Sequence, residues 1–239
     1  MIRYLNLVLF SGMIFMNYLA NALPINNKTT GQLSDEYQNL FVPAGITFSI
    51  WGIIYLLLAI YSALQFTDRG KGVAINIGWL FAISCLLNGL WIVAWHYEKL
   101  PLSLAIMLGL LITLILINTK IATLPFGITK AAFGVYLGWI CIATIANVTA
   151  LLVNVNWQGF GLSHEIWTIA LIAIGALIIS LSVIRFANPF IGLAAVWAFT
   201  GIILKRSEDY RMIVFAALAA ILIVAVFTVK EFFNSGVRS

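Results

Sequence analysis

An all-α integral membrane protein of about eight spans is the fold this sequence predicts, on three observations. Of 239 residues, 63% are hydrophobic and 9% charged, against ~25% charged in a soluble globular domain. Eight apolar stretches without Asp, Glu, Lys or Arg reach or approach the ~20 residues a spanning helix needs. Those stretches hold seven of the eight tryptophans and several asparagines. Their continuous apolarity selects helices, because barrel strands alternate over ~10 residues.

The first stretch is Tyr4–Leu23. With Arg3 before it and Ala20-Asn21-Ala22 near its end, it also reads as a secretory signal. Its run is long beside the ~7–15 residues of a signal's apolar region, which favours a retained helix. The segment Pro24–Gly45 is too polar to span and too long for a simple connector. A lid or binding loop and a plain solvated loop suit it equally.

Ile46–Phe66, Val73–Tyr97, Pro101–Thr119 and Ala131–Val153 are the second to fifth stretches. Asn154 to Gly159 reads as an interfacial turn; Ser163 is the expected N-cap of the next helix, with Glu165 favourable to its dipole. Ile166–Ile184, Phe186–Leu204 and Met212–Val229 follow. Polar residues and rings stud the helices before residues 154–165 and thin out after them, so two parts are expected, 1–155 and 156–239. An N-terminus on the inner side collects eight cations there, Arg3, Arg69, Lys71, Lys120, Lys130, Arg185, Lys230 and Arg238, against five outside. Lys205, Arg206 and Arg211 fall on the outer side and run against that rule. Either their loop is outside despite its charge, or the span count after residue 160 is off by one.

Composition also excludes several functions. The net charge of +5 is the ordinary basic bias of membrane proteins, and no Lys/Arg run interleaved with aromatics exists to track phosphates, so no nucleic-acid partner is expected. Cys85 and Cys141 fall inside spans and read as small apolar side chains. All eight acids lie in loops or at helix ends, which argues against ion-coupled transport. With His96 and His164 the only histidines, haem or metal ligation is disfavoured, and no nucleophile–base pair or phosphate-cradling motif is present. No cofactor and no catalytic residue are expected.

Helical spacing does produce stripes. Ser84, Asn88, Trp91 and Trp95 share one face of the third stretch, and Tyr136, Trp139, Ala143 and Asn147 one face of the fifth. Phe48, Trp51 and Tyr55 follow the same spacing in the second. An amide facing lipid would leave its donors and acceptors unpaired, so these faces should turn inward. For Asn88 or Asn147 singly, helix–helix glue worth ~0.6 kcal/mol is the better explanation, and Trp95 also suits an interfacial anchor. Co-alignment of rings and amides on several helices favours a flat, aromatic-lined pocket. Gly134 and Gly138 form a small-xxx-small pair opposite the rings, where a neighbouring helix could come close.

These residues resemble the tryptophan-rich sensory protein family, also called the TspO/MBR or translocator-protein family. Pro43-Ala44-Gly45…Trp51…Tyr55 is similar to its second-helix signature, Leu87-Asn88-Gly89-Leu90-Trp91 to its third-helix motif, and Tyr136-Leu137-Gly138-Trp139…Ala143-Thr144…Asn147 to its fifth. The resemblance covers roughly residues 1–155. Departures are Val42 for a proline, Gly45 for a tryptophan, Ser84 for a glutamine, Val135 for a proline, and Ser103-Leu104-Ala105-Ile106 where an acid is usual. The resemblance implies a five-helix TspO-like ligand-binding bundle, here followed by about three additional transmembrane helices. It also implies a pocket for porphyrins, sterols or synthetic aromatic compounds, closed by the first long loop. Carried over, Trp51, Tyr55, Asn88, Trp91, Tyr136, Trp139, Ala143 and Asn147 are the expected ligand-binding residues.

The expected function is a receptor or sensor binding a flat hydrophobic molecule, a tetrapyrrole above all, in a bacterial inner membrane. A carrier of small hydrophobic molecules, a light-dependent porphyrin-degrading enzyme and a regulator signalling through the last helices are the competing readings. The expected partners are the porphyrin or similar small molecule and the lipid bilayer, with a homodimer allowed.

Overall fold

A computed structural model describes residues 2–23 and 25–237; Pro24 and Arg238, named above, lie outside them. Among the described residues there are ten α-helices and three short 3-10 turns, and no strand. The helices are α1 (Ile2–Ala22), α2 (Thr30–Glu36), α3 (Ile50–Leu64), α4 (Asp68–Ile77), α5 (Leu80–His96), α6 (Leu100–Ile121), α7 (Ile128–Asn154), α8 (His164–Phe186), α9 (Phe190–Arg206) and α10 (Arg211–Val237). Each of the eight apolar stretches became helix, and one expectation needs revision.

The third stretch does not run unbroken from Val73. Gly78, at φ 62° and ψ −134°, ends α4, and α5 leaves at a 68° bend. Few residues other than glycine take that backbone conformation without strain. The polar start Asp68-Arg69-Gly70-Lys71-Gly72 makes α4 a poor spanning segment. It caps on Thr67, whose hydroxyl accepts the Gly70 N–H at 3.1 Å, and ties to α6 through Asn76 Nδ2 and the Lys120 carbonyl at 3.1 Å.

Among the described residues, six helices are long and apolar enough to cross a membrane, or seven if the bent α4–α5 pair is one span. The helices α5 and α9 have 17 residues each, about 25 Å at ~1.5 Å per residue, short of a ~30 Å hydrocarbon core.

The connections nonetheless alternate between two ends. At one, Lys28 pairs with Glu36 and Glu98, Lys205 pairs with Asp35, and Arg206 donates to the Leu40 and Asn39 carbonyls at 3.1 and 2.8 Å. This end is called the lid end. At the other, Arg3 donates to the Gln65 carbonyl, and Lys130 to the carbonyls of Ala122 and Ala187 at 2.8 and 2.9 Å. The α9–α10 turn therefore lies at the lid end despite its cations. Two of those cations, Lys205 and Arg206, hold the long loop.

The segment α7 is the axis of the fold. Its glycine face receives α9: a Cβ on Gly134 would stand 2.7 Å from the Asn188 amide, and one on Gly138 would overlap the Ile191 carbonyl and reach 3.0 Å from Ala194 Cβ. Without side chains there, the two backbones approach closely, as the small-residue pair predicts. On α1, Asn6, Phe10, Met13, Asn17 and Ala20 are buried at helical spacing, so this first helix is part of the core. Ser163 caps α8 as expected, accepting the Ile166 N–H at 3.2 Å.

Candidate functional site

The long loop is folded rather than loose. Thr29 and Gln32 form a reciprocal capping box that starts α2. Tyr37 donates its hydroxyl to Glu98 at 3.0 Å. After Pro43 the chain enters a 3-10 turn, Gly45–Ser49, that leads into α3. Thr30 and Ser34 of α2, Pro43 and Phe48 roof a small cavity walled by α3, α5 and α7.

Five of the eight expected residues line that cavity: Trp51, Trp91, Trp139, Ala143 and Asn147. Trp139 and Asn147 are 3% and 2% exposed, so neither faces lipid. The rings interlock. Trp51 stacks on Tyr55 at 5.4 Å and meets Tyr136 and Trp139 edge-on at 5.9 and 6.2 Å, while Phe48 meets Trp139 at 5.9 Å. Trp91 stacks on Trp95 at 5.8 Å. Because the rings contact one another, the hollow is only about 50 Å³, against ~300–1,000 Å³ for most small-molecule sites.

The other three expected residues, Tyr55, Asn88 and Tyr136, stand outside that lining in a hydrogen-bonded chain. Tyr55 donates to Asn17 Oδ1, Asn17 Nδ2 to Asn88 Oδ1 at 2.9 Å, and Asn88 Nδ2 to the Tyr136 hydroxyl at 2.9 Å. The chain joins α3, α1, α5 and α7. Asn88 therefore joins helices here. The physical reason is that a fully buried amide takes its partners from whichever helix lies nearest, and α1 supplied Asn17. Asn17 itself was missed; its place in the stripe Asn6, Phe10, Met13, Asn17, Ala20 is the signal that could have found it.

Asn147 donates to Ser103 Oγ of α6 at 3.0 Å, so one of its amide protons is engaged. Trp95 is buried, 5% exposed, and donates to the Thr30 carbonyl at 3.4 Å. The interfacial-anchor reading of that ring is corrected: it belongs to the cavity wall and touches the lid. Ser84, on the same stripe, turns back to the Phe81 carbonyl. Thr30 and Ser34 belong to the loop expected as a lid and Pro43 to the second-helix signature, but their approach to the rings depends on how the loop folds back.

Two polar groups on the cavity wall remain unmatched. The indole N–H groups of Trp91 and Trp139 are buried and have no hydrogen-bond acceptor among the described residues. An indole nitrogen is a donor only, and a buried donor without an acceptor costs ~1–3 kcal/mol. The site thus combines aromatic faces, two unfilled donors and a neutral amide. No group of three or more His, Cys, Asp or Glu side chains that could hold a metal occurs among the described residues. His96 is buried at the end of α5, with Nδ1 2.8 Å from the Ile92 carbonyl.

The lid is gripped from behind by α9. Ala44 N–H donates to the Gly201 carbonyl at 3.0 Å, and Trp197 donates to the Thr47 carbonyl at 2.8 Å. A Cβ on Gly201 would overlap Thr47 Oγ1 and stand 2.9 Å from Pro43 Cβ.

Fold and site together define a multi-pass helical membrane protein with a neutral, ring-walled cavity under a loop. The sequence model of the TSPO-like protein family matches residues 3–230, so the chain belongs to that family. The match runs on through the last three helices, beyond the five-helix segment that carries the motifs. No curated protein and no solved structure matches the chain.

Proposed function

We propose that this protein is a receptor or sensor that binds a flat hydrophobic molecule carrying hydrogen-bond acceptors, with tetrapyrroles the favoured class. The observation that carries this reading is the pair of unfilled indole donors, Trp91 of α5 and Trp139 of α7, among the residues that line the cavity. A plain hydrocarbon would leave both N–H groups unmatched. A porphyrin offers broad faces for Trp51 and Trp139 and polar edges for the donors and Asn147. In this reading the cavity of about 50 Å³ is a closed form, and binding requires the rings to part and the lid formed by Thr30, Ser34 and Pro43 to lift.

In this reading all eight apolar helices cross a bacterial inner membrane, residues 1–155 bind the ligand, and residues 156–239 support the lid. Two copies can pair in the membrane. The α9 contacts to Ala44 and Thr47 favour a second reading built on the first. Lid movement would be felt by α9, so ligand occupancy could be reported at the α9–α10 turn. Ligand-dependent hydrogen exchange in residues 205–211 tests it, and exchange unaltered by bound porphyrin counts against it.

The primary reading is tested by titrating detergent-solubilised protein with protoporphyrin and following tryptophan quenching. Trp139→Phe keeps a ring but removes the donor, and Asn147→Ala removes the amide. Each should weaken binding by about tenfold, the equivalent of one good hydrogen bond. Wild-type affinity in both variants refutes the assignment.

A further inference from the structure

The lid end carries two larger hollows that share a wall. The first, about 540 Å³, lies between the end of α7, the start of α8 and the Gln38–Phe41 part of the lid. Its walls include Val148, Leu152 and Leu171, and the Trp157–Trp167 pair with ring centroids 5.0 Å apart. No Lys, Arg, Asp or Glu lines it. Several of its polar groups are already turned to backbone: Thr149 donates to Ala146, Thr168 to His164 and the Trp167 indole to Gly159. What it offers a guest is mainly an apolar surface.

The second hollow, about 580 Å³, is charged. Asp35, Lys205, Arg206, Asp209 and Tyr210 contribute to its lining. Gln38, Asn39, Leu40 and His164 line both hollows, so the two compartments adjoin. Each lies within the ~300–1,000 Å³ of ordinary small-molecule sites.

The second hollow carries two cations, Lys205 and Arg206, and two acids, Asp35 and Asp209. Lys205 is paired with Asp35. Arg206 is half-buried and fixed, because Nε and Nη2 donate to the Leu40 and Asn39 carbonyls. Carbonyls orient a guanidinium but do not neutralise it, and no described carboxylate stands within 4.0 Å of it. The acid on the rim, Asp209, is exposed. The depth also suits an amphiphile: Phe160, at the tip of the neighbouring loop, is 85% exposed and lies 5.4 Å from Trp157. Exposed rings at a helix end mark the membrane–water boundary, where amphiphile heads lie.

We infer that the two hollows form one site for an anionic amphiphile, its apolar body between α7 and α8 and its carboxylate or phosphate head toward Arg206. Arginine suits such heads because its planar fork gives two parallel N–H bonds to two oxygens. This site touches the ring-walled cavity at Ser34, which lines both, but stands whether or not that cavity binds a porphyrin.

The test uses the full chain in detergent with dibromostearic acid and its methyl ester as probes, read by tryptophan quenching. The acid should bind about tenfold more tightly than the ester, the difference one charge-assisted hydrogen bond makes. Arg206→Gln should erase that difference. Because Arg206 also holds the lid, Asp209→Asn is the companion variant: removing the rim acid should tighten the acid and not the ester. Leu152→Phe, which fills the apolar hollow, should weaken both probes, and Trp157→Phe should reduce the depth of quenching. A brominated phosphatidylglycerol run alongside separates the sources of the head: tighter binding than the free acid assigns a lipid phosphate, weaker binding a free carboxylate. Equal affinity for acid and ester, or acid binding indifferent to Arg206→Gln, Asp209→Asn and Leu152→Phe together, overturns the proposal.

Discussion

Trp197 donates its indole N–H to the carbonyl of Thr47 at 2.8 Å, tying α9 to the turn that roofs the ring-walled cavity. The bond joins the last three helices to the loop nearest the rings. Beside it, the Gly201 carbonyl accepts the Ala44 N–H, and the missing side chain of Gly201 lets Thr47 and Pro43 lie against α9. The Pro43–Thr47 part of the lid is therefore held directly against α9.

Gly201→Val should separate them. The new side chain meets Pro43 and Thr47, so the 3-10 turn must move off α9. Overpacking of this kind costs ~1–3 kcal/mol. The expected result is a protein that still folds but admits small quenchers such as acrylamide to Trp91 and Trp139 more readily. Quenching identical to wild type would mean the lid is held elsewhere.

Asn88→Ala should affect stability more than ligand affinity. It breaks the chain from Asn17 to Tyr136 and strips both neighbours of a partner. Interhelical bonds in membrane proteins average ~0.6 kcal/mol, and a buried group left unpaired raises that toward ~1–3 kcal/mol. Thermal unfolding should fall by several degrees while porphyrin affinity changes little. A large loss of affinity with unchanged stability would move Asn88 into the binding surface.

Lys130→Met should loosen the far end. Lys130 is 3% exposed and donates to the carbonyls of Ala122 and Ala187, which cap α6 and α8. Cations at helix C-termini satisfy carbonyls that lack intrahelical partners. Methionine fills the space but leaves those carbonyls unpaired, for an expected loss of about 2–4 kcal/mol. Unfolding in denaturant reads it directly, and a midpoint equal to wild type would show the contacts to be dispensable.

The lid should open in strong alkali. Burial and the hydrogen bond to Glu98 push the Tyr37 hydroxyl up to about 12 from an ordinary 10.0. A group whose folded value is raised stabilises the fold fully below its unfolded value and loses that contribution as pH rises toward the folded one. For Tyr37 the window runs from pH 10 to about 12. Lys28, raised above 10.5 chiefly by its hydrogen bond to Glu36, acts in the same direction. Limited proteolysis within residues 25–45 should accelerate across that window, and Tyr37→Phe should flatten part of the rise. A cleavage rate that stays constant through it removes Tyr37 from lid closure.

Much of the fold is written locally. Hydrocarbon cannot hydrogen-bond a backbone, so a charge-free apolar run of sufficient length has helix as its only solution, and the eight stretches could be read one at a time. The inward turn of Trp139 and Asn147 followed from the same argument about amides in lipid. The Ser163 cap and the close-packing face of Gly134 and Gly138 were legible because each depends on residues a few positions apart.

What the tertiary structure alone decided is which of these inward-facing groups meet. Asn88 and Asn147 look alike on their stripes, yet Asn88 was taken by Asn17 of α1 while Asn147 met Ser103 at the cavity wall. Gly78 broke a stretch that hydropathy alone carried through. The cations of the α9–α10 turn, at odds with a charge rule that counts each loop separately, found Asp35 and the carbonyls of a loop far away in sequence. Helix formation is set by neighbours along the chain and by the solvent around it, whereas pairing across helices is set by packing distances that no single segment contains.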